Sequence, residues 1–141
     1  MIKHLRILVV DDDPEIPELL GGYLETCGYA VRTCSNGAEA LAALRAAEYD
    51  LLVSDINMSG MNGFELLRET RKTYPRIGII LMTAYDDAHP IQEALQAGAD
   101  GYIPKPFSLR KFSRIFEQAY WQALSREDWW EDVNTRGSKK A

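Results

Sequence analysis

"LRILVVDDDPEI" (residues 5–16) decides how this chain is read. A nearly unbroken apolar run stops at three adjacent carboxylates, Asp11, Asp12 and Asp13, and Pro14 follows them. A short continuous apolar run suits a strand buried on both faces. Asp13-Pro14 suits the start of a helix, with a side-chain oxygen at the N-cap and proline at the first helical position. Pro17 lacks an N–H close to that start and leaves the boundary open. The first unit is therefore strand, acidic turn, helix. Three like charges side by side require positive charge nearby.

Outward from this unit, the pattern recurs. "AVRTC" (30–34), "DLLVSD" (50–55), "IGIILM" (77–82) and "DGYIP" (100–104) are short strand-like runs. The third and fourth strands, like the first, are nearly continuous in apolar character. Between the strands lie segments with helical spacing, in which residues repeat at three and four: Ile16, Leu19, Leu20, Tyr23 and Leu24; then Ala40, Leu41 and Leu44; then Phe64, Leu67 and Arg71 with Leu66 beside them. Ile91, Ala94 and Leu95 give a short fourth helix. Leu109, Phe112, Phe116, Ala119 and Ala123 form the stripe of a longer fifth one. Asn36 with Glu39, and Asn62 with Glu65, have capping-box spacing. Gly28 and Gly98 fit helix C-terminal positions. Five strands and five helices in alternation imply right-handed crossovers and a doubly wound α/β fold, a parallel sheet covered on both faces.

Composition sets the bounds. The chain has 141 residues, 46% of them apolar, which favours one folded domain with one core. That domain is expected over residues 1–124. Residues 125–141 are expected to form a polar C-terminal tail, as a helix extension, a connector or a disordered segment, in which Trp129 and Trp130 either pack back on the last helix or anchor a partner. The net charge of −5 argues against direct nucleic-acid binding and against contact with anionic lipid. No apolar stretch reaches the roughly 20 residues of a membrane span. The N-terminus reads as the first strand, not as a signal peptide, so a cytoplasmic setting is expected. Cys27 and Cys34 are then expected to be free, buried thiols. With only His4 and His89 elsewhere, they make a poor zinc site.

In a doubly wound sheet, residues at the carboxyl ends of the strands meet at one crevice. Strand 1 delivers Asp11 and Asp12, strand 3 Asp55, strand 4 Thr83, and strand 5 Lys105 within "PKP". A hard divalent cation with oxygen ligands, Mg²⁺ above all, would offset the carboxylates, and Lys105 would offset part of the remainder. Each residue alone has a plainer reading. Asp11 and Asp12 could cap a helix, Asp55 could sit in a solvated turn, and Thr83 could bond its own backbone. Lys105 could be a loop lysine, Tyr102 a sheet tyrosine, and His89 an exposed helix-start residue.

Together, "ILVVDDDPEI", "DLLVSDINMSGMNGFELL", "MTAY" and "AGADGYIPKPF" resemble the receiver domain of bacterial two-component response regulators, over about residues 4–124. The resemblance implies a flavodoxin-like three-layer sandwich with strand order 2-1-3-4-5. Asp55 would be the phosphoacceptor. Asp12 would bind Mg²⁺ (or Mn²⁺) directly, Asp11 through a coordinated water, and Asn57 through its backbone carbonyl. Lys105 would pair with Asp55 and then with its phosphoryl group, and Thr83 would donate to a phosphoryl oxygen. Tyr102 would be the aromatic switch, and Pro106 would follow a cis peptide bond. Asp13 falls where the family varies and is assigned to helix capping. The implied partner is a sensor histidine kinase or histidine phosphotransfer protein. The face of helix 4, strand 5 and helix 5 would carry the output or a homodimer contact. The chain would act as a signalling module, an enzyme only toward its own phosphorylation and dephosphorylation. Two positions depart from the pattern. Ser59 replaces the family's usual proline and is expected to loosen the loop after Asp55. Tyr85 is bulky near the access route and is expected, with Asn57, to affect phosphoryl loss.

Two other functions fit parts of the sequence. A small Mg²⁺-dependent phosphatase with an aspartate nucleophile would use Asp11-x-Asp13, but Glu15 stands where that motif has Thr or Val. A flavin-binding domain of the same topology would need a Ser/Thr/Gly-rich phosphate loop after strand 1, where this chain is acidic.

Overall fold

The computed structural model describes residues 4–84 and 91–126. Among these residues the element order is β1 (Arg6–Val10), α1 (Glu15–Thr26), β2 (Ala30–Cys34), α2 (Gly37–Ala46), β3 (Leu51–Asp55), α3 (Gly63–Thr73), β4 (Gly78–Thr83), α4 (Ile91–Gln96), β5 (Gly101–Pro104) and α5 (Leu109–Arg126). The strands form one sheet in the order β2-β1-β3-β4-β5, and every pairing is parallel. The doubly wound, flavodoxin-like architecture expected from the sequence is the observed one, with strand boundaries within a residue of the apolar runs.

The three central strands explain the continuous apolar runs. Successive side chains point to opposite faces of a strand. Leu8, Val10, Leu52, Ile79 and Leu81 face α2, α3 and α4, where they meet Ala40, Leu44, Phe64, Leu67 and Ala94. Ile7, Val9, Leu51, Val53, Ile80 and Met82 face α1 and α5, where they meet Leu20, Leu24, Phe112 and Phe116. Both faces are covered, so no position in these strands can be polar without a partner. β2, at the sheet edge, is mostly exposed.

Helix ends follow local chemistry. Asn62 and Glu65 close a full capping box at α3, each side chain bonding the other's backbone N–H at 2.9 Å. Gly28 (φ +92°) and Gly98 (φ +106°) end α1 and α4 in the left-handed region that glycine enters without steric cost. The peptide bond between Lys105 and Pro106 is cis, as the resemblance implies.

Several expectations need correction. α1 begins at Glu15, with Pro14 at the N-cap position, yet Asp13 Oδ1 accepts from Glu15 N at 3.0 Å and so still caps the turn. Pro17 lies in that first turn, where an N–H has no partner within the helix, and it is buried there without cost to the ladder. At α2, Asn36 accepts from Glu39 N, but the Glu39 carboxylate turns to Ser35 and the box stays half-formed. Cys34 is buried and burial pushes its thiol pKa up, whereas Cys27, at the C-cap of α1, is exposed; both are free. Leu19, Ile91 and Leu95, which spacing places on apolar stripes, are about half exposed. A helix of α4's length can seat one residue, Ala94, and leave its neighbours on the surface.

Candidate functional site

The sheet aligns the chemistry. Backbone bonds continue beyond the strand ends: Asp11 N donates to Cys34 O at 3.1 Å, Ile56 N to Met82 O at 2.8 Å, and Lys105 N to Thr83 O at 2.6 Å. Asp11 follows β1, Asp55 ends β3, Thr83 ends β4, and Lys105 follows β5. All four therefore stand along one edge, held by main-chain ladders that do not depend on their side chains.

Asp11, Asp12 and Asp55 bring carboxylate oxygens within 4.8 Å of one another. Asp11 is buried; its Oδ1 accepts from Asp13 N at 3.0 Å and its Oδ2 from Lys105 Nζ at 2.8 Å. Lys105 follows β5 and Asp11 follows β1, so this contact spans the ends of β4 and β3. The distance from Lys105 Nζ to Asp55 Oδ2 is 3.4 Å. The ammonium expected to pair with Asp55 is thus shared, and Asp11 holds the shorter contact. Asp55 Oδ1 accepts from Asn57 N at 3.4 Å. Asp12 is exposed and accepts from Ser59 N at 3.3 Å.

The electrostatics follow from this sharing. Burial pushes the Asp55 carboxyl up from 3.8 to about 6, and the nearby Asp11 charge adds to it; Lys105 and the Asn57 N–H pull back only in part. Burial would lower the Lys105 ammonium, but its hydrogen bond to Asp11 and the charges of Asp55 and Asp11 outweigh that and hold it above its ordinary value. One ammonium facing two carboxylates leaves the cluster short of positive charge. Three carboxylates converging at this range are the donor set of a hard, oxygen-preferring cation, and they fit Mg²⁺ by that chemistry.

The backbone after Asp55 is tightly folded. Gly63 N donates to Ile56 O at 2.9 Å, and a Cβ at Gly63 would meet the Asp55 carbonyl oxygen and lie 2.7 Å from Ile56 Cα. Residue 63 must be glycine for α3 to start directly against the phosphoacceptor candidate. The loop reverses at Gly60 (φ +76°). Ser59, expected to loosen this loop, instead ties it to Asp12 through its N–H.

Thr83 is buried at the end of β4, and its hydroxyl donates to Ala84 O at 3.5 Å. Tyr102, in register with Leu81, is half-buried against the core on the α2–α3–α4 side. Tyr85, His89, Trp129 and Trp130 lie outside the described residues. Among the described residues no helix is long and apolar enough to cross a membrane.

Sequence reasoning missed Arg71 and Asp100. Arg71 Nη2 lies 2.7 Å from Asp100 Oδ2, which also accepts from Ile79 N at 2.9 Å. The signal was present in a charged residue occupying a stripe position of α3, four residues after Leu67.

Comparison with known proteins agrees with this geometry. The family described as "Response regulator receiver domain" matches residues 7–117. The DNA-binding transcriptional regulator NtrC of Escherichia coli (strain K12) is 40% identical over 113 residues, 80% of this chain and 24% of that protein. The chain therefore spans about a quarter of that relative's length. The crystal structure of NtrX from Brucella abortus in complex with ADP superposes with a TM-score of 0.83 at 29% identity, over 96% of this chain and 30% of that one. The response regulator TrrA of Thermotoga maritima, in complex with Mg(2+)-BeF, gives a TM-score of 0.70 at 37% identity, over 82% and 98% of the two chains. The phosphatase reading is not favoured: its second motif aspartate, Asp13, is spent on the first turn of α1. The chain belongs to the response regulator receiver domains, the phosphorylation-dependent signalling modules of two-component systems.

Proposed function

We propose that Asp55 accepts a phosphoryl group from the phosphohistidine of a sensor histidine kinase or a histidine phosphotransfer protein, in the cytoplasm. Asp12, Asp55 and the Asn57 backbone carbonyl would hold Mg²⁺ (or Mn²⁺), with Asp11 acting through a bound water. The bound cation would supply charge neutralisation for the attacking carboxylate and the donor phosphate. Lys105 neutralises further charge and orients the phosphoryl oxygens. The observation that carries this reading is the convergence of three carboxylates within 4.8 Å, one of them with its pKa raised to about 6, beside a single lysine.

The acyl phosphate adds about one to two negative charges and strong acceptor oxygens. Thr83 and Lys105 are donors at the ends of β4 and β5 that can respond to it. Tyr102 follows Thr83 and biases two packings of the α4–β5–α5 face toward one. Ile91 and Leu95 on α4, and Trp121 on α5, are exposed apolar residues suited to an output partner or a second copy of the chain. The chain itself catalyses only the gain and loss of its own phosphoryl group.

The test is labelling by acetyl phosphate with Mg²⁺, read by intact mass and peptide mapping. Wild-type protein should gain one acid- and base-labile, hydroxylamine-sensitive phosphoryl group at Asp55, and Asp55→Asn should gain none. Undiminished labelling of Asp55→Asn, or mapping to Asp11, overturns the assignment.

A further inference from the structure

We infer that the main-chain N–H of Ser59 is a positioning group for the cation site, acting through Asp12. The inference rests on the proposed Mg²⁺ site and adds a residue to it. Among the described residues the Asp12 carboxylate accepts one hydrogen bond, from Ser59 N to Oδ2 at 3.3 Å. Asp12 is the exposed member of the triad, whereas Asp11 and Asp55 are buried. Those two are held by packing, by Lys105, and by the backbone N–H groups of Asp13 and Asn57. Asp12 lacks such packing. Free, its side chain would sample several rotamers, most of them pointing into water.

The Ser59 N–H selects one of these. It reaches Asp12 across 47 residues of sequence, from the β3–α3 loop back to the β1–α1 loop. The loop that carries it is itself restrained by the turn at Gly60, by the Gly63 N–H on Ile56 O, and by the capping box at α3. The donor is thus anchored to the same backbone that presents Asp55. A carboxylate has about four lone-pair sites, so one N–H leaves the others free for a cation. Ordering the ligand beforehand removes that entropic cost from the binding step.

The bond belongs to the backbone, so the side chain at 59 is not what matters. Every residue except proline can donate it, and proline is what this family usually carries there. Ser59 is therefore a departure that adds a tether where its family lacks one.

The experiment titrates Mg²⁺ into wild type, Ser59→Pro and Ser59→Ala, following amide chemical shifts, which also read weak binding. Ser59→Ala keeps the N–H and should bind as wild type. Ser59→Pro should bind roughly two- to fivefold more weakly, the scale of one partly exposed, charge-assisted hydrogen bond. In an Asp12→Ala background, Ser59→Pro should cause no further loss, because the group it acts through is gone. Equal affinity of Ser59→Pro and wild type overturns the inference. So does a loss in Ser59→Ala equal to that in Ser59→Pro, or an undiminished proline effect without Asp12, which would mark a general loop distortion. Wild-type protein that does not respond to Mg²⁺ at all would instead overturn the cation site itself.

Discussion

Lys105 Nζ sits 2.8 Å from Asp11 Oδ2, closer than to the phosphoacceptor candidate, although the two residues are 94 positions apart. The Asp11 side chain is fully buried and that of Lys105 is 21% exposed. Removing the ammonium leaves Asp11 and Asp55 facing each other without it, and an uncompensated buried charge costs several kcal/mol. With partial exposure of Lys105 taken into account, Lys105→Met should lose about 1–3 kcal/mol of stability in a chelator. Saturating Mg²⁺ should restore most of that loss, since a cation can supply the missing charge. Thermal melts with and without Mg²⁺ check this. An equal deficit under both conditions would mean that the lysine matters for its packing alone.

Asp55 gives a pH-dependent signature with a definite sign. Its carboxyl is pushed up from 3.8 to about 6, so the native protein holds this proton more tightly than the unfolded chain does. The stability it contributes is full below about pH 4 and is lost as pH rises through about 6. At neutral pH the ionised group costs on the order of 2–3 kcal/mol. Asp55→Asn cannot ionise and avoids that cost. Without divalent cations it should melt several degrees above wild type at neutral pH, and the two should converge near pH 4. Mg²⁺ should narrow the gap at neutral pH by binding wild type more tightly. Coincident melts across the range would show that Asp55 ionises without strain.

How far the sequence could be read depends on which force acts at each residue. Burial on both faces leaves a direct trace, so Ile7 to Val10, Leu51 to Val53 and Ile79 to Met82 were legible as central strands. Strand ends then placed Asp11, Asp55, Thr83 and Lys105 on one edge, because parallel connections leave no other arrangement. Spacing alone could not show how wide each helix's buried stripe is, and Leu19, Ile91 and Leu95 came out exposed. Nor could it choose among competing donors: the Glu39 carboxylate accepts from Ser35 in place of Asn36's backbone N–H. Distances among charges were equally hidden. That Lys105 lies closer to Asp11 than to Asp55 depends on the side chain's path across the sheet end, and the Ser59 tether is a main-chain bond that no side chain announces.

Arg71 and Asp100 supply the remaining prediction. The guanidinium bonds Asp100 Oδ2 at 2.7 Å, Gly98 O at 2.8 Å, Pro75 O at 3.3 Å and Ile77 O. One side chain thereby joins the end of α3, the entry to β4 and the turn between α4 and β5. Asp100 is fully buried in its side chain and Arg71 is 16% exposed. Asp100→Ala would strip the guanidinium of its carboxylate and take an acceptor from Ile79 N, at a cost of about 3 kcal/mol. Asp100→Asn keeps an acceptor and should lose roughly half as much. Both residues lie where β4 and β5 begin, at the opposite end of the sheet from Asp55. Urea unfolding should therefore show a lower midpoint with unchanged slope, while Mg²⁺ affinity of the folded protein stays at the wild-type value. Weakened Mg²⁺ binding in Asp100→Asn would show instead that this clamp communicates with the acidic cluster through β4 and β5.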